Sequence, residues 1–101
     1  MIKELENNNF NSEIKEGLVL VDFYAVWCGP CKMMHPVIDQ LAQDNPNLKI
    51  IKVNVDNYSD IARNYGVMSI PTLILFKNGE IINKNIGFTP KDVLETWIQQ
   101  N

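Results

Sequence analysis

Residues Leu18 to Asp44 read LVLVDFYAVWCGPCKMMHPVIDQLAQD, and the fold follows from how this stretch divides. Leu18 to Tyr24 is apolar at every position but Asp22. A run that is apolar on both of its alternating faces predicts a strand buried inside a parallel sheet. From Cys31 to Asp44 the spacing changes to that of a helix. Met34, Ile38 and Leu41 share one stripe, and Val37 and Ala42 widen it. Asn45-Pro46-Asn47 stops this helix. Pro36 lies inside it and removes one backbone donor, so a kink is expected there. Strand, tight turn and long helix follow one another directly, with Cys28 and Cys31 at the junction.

Outward from this unit the alternation continues. Lys49 to Val55 predicts a second buried strand, Ser59 to Tyr65 a short helix closed by Gly66, and Thr72 to Phe76 a third buried strand. Asn78-Gly79, ahead of Ile81-Ile82, is a strong hairpin signal. Thr89 is expected to cap a last helix with Pro90 at its first position, and Val93, Leu94, Trp97 and Ile98 form its apolar face. On the N-terminal side, Phe10 and Ile14 suit a short amphipathic helix closed by Gly17, after a short strand near Ile2. The order is β-α-β-α-β-α-β-β-α. It implies an α/β protein with a central sheet, helices on both faces, and a final antiparallel pairing that makes the sheet mixed.

The chain has 101 residues, which suits one domain spanning 1–101. Hydrophobic residues at 46% and charged residues at 21% are ordinary for a globular protein and supply a real core. Nine basic against twelve acidic residues give a net charge of -3, with no Lys/Arg cluster, which argues against nucleic acid as a partner. No apolar run reaches the roughly 18 residues of a membrane span. Met1 to Ser12 is mostly polar and unlike a secretory signal. A soluble, intracellular protein of the cytoplasm is expected. Two cysteines are too few for a disulfide-stapled secreted scaffold or a four-cysteine metal cage.

Those two cysteines carry the chemistry. Cys28 falls at the N-terminal edge of the long helix, where free N–H groups and the helix dipole favour the thiolate, the reactive form. Two intervening residues let the sulfurs meet, with Gly29 permitting a tight turn and Pro30 restricting it. This arrangement suits reversible dithiol–disulfide cycling. A purely structural disulfide is a competing reading, but so short a loop removes little chain entropy. Half of a metal site is another. Cys28, Cys31 and His35 share one helical face, yet structural zinc wants four ligands and no second Cys/His pair exists, so no metal is expected.

Asp22 lies on a strand that looks buried on both faces. Burial should raise its pKa and make it a candidate proton acceptor near neutral pH. It also fits a tolerated polar residue at a strand end. Lys52, inside the neighbouring strand, is either its partner or an edge-facing solvated charge. Pro71 in Ile70-Pro71-Thr72 must sit at a strand start, since it cannot donate to a ladder.

The string WCGPCK (Trp27 to Lys32) resembles the active-site hallmark of the thioredoxin family. The resemblance covers the whole chain: VDFYAVWCGPCKMMHP (Val21 to Pro36), KVNVD (Lys52 to Asp56), YGVMSIPTLILFKNGE (Tyr65 to Glu80) and Gly87 fall in the family's order and spacing. It implies a thioredoxin fold, a five-stranded mixed sheet flanked by four helices, and a monomeric protein disulfide reductase. Cys28 would be the attacking nucleophile and Cys31 the buried resolving thiol. Asp22, with Lys52 close to it, would assist proton transfer from Cys31. Pro71 would be a cis-proline facing the cysteines, and the backbone of Ile70 would pair with an extended substrate peptide. Trp27, Gly29, Pro30, Ile70 and Gly87 would form the docking surface. The family binds no cofactor itself. Electrons would come from NADPH through thioredoxin reductase, and the partners would be that reductase and disulfide-containing proteins.

Two residues depart from the family pattern. Tyr24 stands where Trp is usual and adds a hydroxyl that needs a partner. His35 stands where a small residue is usual. Four residues beyond Cys31, it either faces the dithiol and couples it to pH or is simply solvated. The Gly-Pro pair favours reductase duty over isomerase or oxidase duty, which in the family usually goes with a His at that place. A binding module recognised in its reduced state is a further alternative.

Overall fold

The computed structural model describes residues 1–101. The elements are β1 (Ile2–Glu4), α1 (Phe10–Glu13), β2 (Leu18–Tyr24), α2 (Gly29–Asp44), β3 (Lys49–Asn54), α3 (Ser59–Asn64), β4 (Thr72–Lys77), β5 (Glu80–Ile86) and α4 (Lys91–Gln99). They form one five-stranded sheet in the order β1-β3-β2-β4-β5. β1, β3 and β2 run parallel, and β4 and β5 are antiparallel to their neighbours. The expected mixed sheet with four helices is what the chain builds.

Side chains alternate across a strand, so each strand serves two cores. Val19, Val21 and Phe23 of β2 join Ile51, Val53, Ile74 and Phe76 beneath α1 and α3, which contribute Phe10 and Ala62. Leu20 points the other way, with Ile50, Leu73 and Leu75, against Met34, Ile38 and Leu41 of α2 and Leu94 of α4. β2 is therefore apolar on both faces because it is covered on both. The same parity sends Asp22 and Tyr24 to the α2 side, where β3 also sends Lys52.

Local signals explain the boundaries. α2 begins at Gly29 with Cys28 as its N-cap, two residues earlier than the apolar stripe indicates, and passes through Pro36 without interruption. It ends at Asn45, whose side-chain amide donates to the Leu41 carbonyl at 2.9 Å. Asn78 and Gly79 both take positive φ, 52° and 86°, as a two-residue hairpin turn demands. The expectation for Thr89 is corrected. Pro90 holds the N-cap position of α4 with extended backbone and no side-chain cap. Thr89 is buried, and its hydroxyl oxygen instead accepts from Asn85 Nδ2 at 2.8 Å. A threonine ahead of proline looks like a cap in sequence, but here a competing side-chain donor engages its oxygen. No helix is long and apolar enough to cross a membrane.

Candidate active site

The site forms where β2 gives way to α2. Cys28 and Cys31 are joined as a disulfide, with Cα atoms 5.2 Å apart. As N-cap, Cys28 occupies the position where a side chain satisfies an orphan helix donor. Its sulfur does so, accepting from the Cys31 backbone N–H at 3.2 Å. The backbone that brings the two sulfurs together thus also points a donor at Cys28 Sγ, which favours negative charge on that atom. Cys31 is wholly buried, whereas Cys28 keeps 5% of its surface. Of the two cysteines, only Cys28 retains exposed surface.

The Ile70–Pro71 bond is cis. The Ile70 carbonyl oxygen lies 3.7 Å from Cys28 Sγ, so this segment faces the sulfur pair. Ile70 precedes β4, and its backbone is outside that strand's ladder. The Pro71 carbonyl accepts from the Gly87 N–H at 2.8 Å, which ties the Gly87 loop to the same edge. Gly29 and Pro30 are exposed in the first turn of α2. Trp27 is 69% exposed beside Cys28. The structure therefore gathers Trp27, Cys28, Gly29, Pro30, Ile70 and Gly87 on one rim, with Cys31 and Pro71 buried beside them. The largest cavity lies elsewhere, lined by α1 and α3 residues such as Phe10, Ser12, Ile61 and Asn64.

Asp22 is fully buried on the α2 side of the sheet, and neither carboxylate oxygen has a hydrogen-bond partner. Burial pushes its pKa up to about 6. The nearby Lys52 charge opposes that shift and Glu4 adds to it. Lys52 is the register partner of Asp22 across β2 and β3. It is neither an ion-paired partner nor a freely solvated charge. Its ammonium sits 2.5 Å from His35 Nδ1 and 5.0 Å from the centre of the Tyr24 ring. His35 packs edge-on against that ring, with centroids 5.5 Å apart. The histidine is thus engaged with Lys52 and Tyr24. No three His, Cys, Asp or Glu side chains are grouped to hold a metal ion, so the spacing of Cys28, Cys31 and His35 does not become a ligand set.

Two participants escaped the sequence reading. Asp56 accepts from the Trp27 indole N–H at 2.9 Å and orients the exposed ring. The β2–β3 register ends at Tyr24 opposite Asn54, and so brings the residues that follow each strand side by side. Glu4 accepts from the Tyr24 hydroxyl at 2.7 Å, which supplies the partner that this hydroxyl needs. Burial first, and then this carboxylate, hold the phenol well above its ordinary pKa, so it stays a donor.

The comparisons agree with this geometry. The thioredoxin family model matches residues 1–100. Thioredoxin from Bacillus subtilis is 45% identical over 101 residues, covering 99% of this chain and 97% of its own. Thioredoxin from Chlamydia caviae is 48% identical over 101 residues, covering 100% and 99%. Among solved structures, oxidised mitochondrial thioredoxin 3 from Saccharomyces cerevisiae superposes with a TM-score of 0.89 at 40% identity. That match covers 99% of this chain and 95% of the other. With the whole chain matched and the Cys28–Cys31 disulfide at the head of α2, this protein belongs to the thioredoxin family of thiol–disulfide oxidoreductases.

Proposed function

We propose that the chain is an electron donor to disulfide-containing proteins and that the roles within its dithiol–disulfide pair are divided by burial. The observation that carries this is the Cys31 N–H aimed at Cys28 Sγ. In the reduced protein the Cys28 thiolate attacks one sulfur of a substrate disulfide. The substrate S–S bond breaks, its second sulfur leaves as a thiolate that takes a proton, and a mixed disulfide remains on Cys28. Cys31 then gives its proton to Asp22 and attacks Cys28 Sγ. The mixed disulfide breaks, the substrate departs with both sulfurs reduced, and the two electrons lost by the protein leave the Cys28–Cys31 disulfide.

Asp22 suits the proton step. A carboxyl with a pKa of about 6 is mostly ionised at pH 7, yet more basic than an ordinary aspartate. Lys52 supports it as a nearby charge. The exposed indole of Trp27, with Gly29, Pro30, Ile70 and Gly87 on the same rim and Pro71 buried behind Ile70, offers a shallow surface that suits a polypeptide better than a small molecule in a cleft. The Ile70 backbone outside the β4 ladder suits an extended substrate strand. Recharging requires a two-electron reductant. NADPH acting through a thioredoxin reductase supplies it, with no cofactor held by this chain. Work as a monomer in the cytoplasm, where thiols are kept reduced, fits this cycle.

The test is trapping with Cys31→Ser. A mixed disulfide stranded on Cys28 and identified by mass spectrometry is expected. Failure to strand any disulfide-bonded protein would overturn the reading, as would wild-type protein that cannot pass electrons from NADPH and a thioredoxin reductase to such a protein.

A further inference from the structure

We propose that His35 is a positioning residue: with the Tyr24 ring it holds the Lys52 ammonium away from Asp22 and leaves the buried carboxyl unpaired. Asp22 and Lys52 are register partners on adjacent parallel strands, and both side chains lie on the α2 side of the sheet. An ammonium so placed has two destinations, the carboxyl or the edge of α2. It takes the second. Nζ meets His35 Nδ1 at 2.5 Å and the Tyr24 ring at 5.0 Å, while both Asp22 oxygens stay without a partner.

The contact also fixes the state of the histidine. An ammonium has donors only, so Nδ1 must accept and the ring proton must sit on Nε2. The hold exists only while the imidazole is neutral. The charged and titratable groups set against His35 are Glu4 on β1, Tyr24 on β2, Lys52 on β3 and Asp39 on α2 itself. Burial and Lys52 hold its pKa below the ordinary histidine value, against the opposing pull of Asp39 and Glu4. The ring is therefore neutral at physiological pH. Tyr24 is the second hold, its hydroxyl tied to Glu4 at 2.7 Å and its face beneath the ammonium. Without the histidine acceptor, Lys52 is free to turn to the unpaired carboxylate. An ion pair there would stabilise the charged form and make Asp22 a weaker proton acceptor.

The consequence for exchange rests on Asp22 accepting the Cys31 proton, but the positioning itself is read independently. The experiment follows the Asp22 carboxyl carbon by NMR across a pH titration of the full-length oxidised protein. His35→Ala is expected to lower the Asp22 midpoint by about 1 pH unit or more, the effect of a cation arriving within ion-pair reach. His35→Leu, which fills the space but accepts no hydrogen bond, should do the same. His35→Gln keeps an acceptor oxygen and should return the midpoint to wild type. In a Lys52→Met background, His35→Ala should shift nothing. An unchanged or raised midpoint in both His35→Ala and His35→Leu would overturn the proposal, as would a shift that survives Lys52→Met. The pH profile of substrate release from the Cys28 mixed disulfide separates the two readings. A lowered midpoint with an unmoved release profile upholds the positioning and removes Asp22 from the proton step.

Discussion

Asp22 and Lys52 face one another across the β2–β3 register, and their charges do not pair. A buried carboxyl left alone in this way is a stability cost whenever it is ionised. Its folded pKa, about 6, lies above the unfolded value of about 4. Protons are therefore bound more tightly in the folded state, and the stability this provides is present below about pH 4 and lost as pH rises through about 6. Asp22→Asn keeps the neutral form at all pH. It should be more stable than wild type above pH 7, by about 2–3 kcal/mol, and should gain little below pH 4. Guanidinium unfolding of the oxidised proteins at pH 4 and pH 8 checks both ends. An equal difference at the two pH values would remove Asp22 as its source.

The same substitution removes the proton acceptor proposed for Cys31. Substrate release from a preformed Cys28 mixed disulfide should slow by about 10²-fold at pH 7, the low end of general-base contributions. The deficit should shrink toward pH 9, where hydroxide deprotonates Cys31 without help. Attack by Cys28 on a fresh disulfide should change little, because that thiolate is supported by the Cys31 N–H instead. Stopped-flow measurement of the two steps separates them. Equal slowing of both would point to a general disturbance of the site.

How much of this could be read from the residues varies with the distance over which the physics acts. The buried β2 strand, the hairpin at Asn78-Gly79 and the helix after Cys28 were legible because periodicity and turn chemistry are local. The helix-cap position of Cys28 was legible for the same reason. The fate of Lys52 was not. Its strand position left both partner and solvated charge open, and the answer depended on two side chains from other elements, Tyr24 and His35. Thr89 failed similarly, since Asn85 competes for its oxygen from the end of β5. Asp56 was invisible because its role needs the β2–β3 register, which pattern alone does not supply.

The hydrogen bond from Trp27 to Asp56 sets the orientation of the largest exposed side chain beside Cys28. Asp56→Ala should free the indole and weaken protein-substrate docking by about three- to tenfold, since a single such bond contributes about 0.5–1.5 kcal/mol. The loss should appear in KM, with kcat nearly unchanged, and the Trp27 indole N–H resonance should move toward its solvent-exposed position. Asp56→Asn retains an acceptor oxygen and should restore most of the affinity. A fall confined to kcat would show that Asp56 acts on the sulfurs rather than on docking.

Gly87 and Gly29 lie on the same rim, and adding a methyl group should affect stability in opposite directions. A Cβ at either position meets no heavy atom within 4 Å, so crowding decides neither case. Backbone conformation does. Gly87 has φ of +91° while its N–H holds the Pro71 carbonyl at 2.8 Å. Alanine there must adopt a conformation that L-residues avoid at a cost of about 1–2 kcal/mol, or rotate away and release Pro71. Gly29 opens α2 in ordinary backbone geometry, where alanine reduces the freedom of the unfolded chain and stabilises by about 0.4–1 kcal/mol. For a domain of this size each kcal/mol moves the thermal midpoint by roughly 4–8 °C. Gly87→Ala should therefore melt lower than wild type and Gly29→Ala slightly higher. If Gly87→Ala also slows reduction of a protein disulfide beyond its effect on stability, the Gly87 N–H is what keeps the Ile70–Pro71 segment facing Cys28. Full activity in a destabilised Gly87→Ala protein would show that the segment holds its place without that bond.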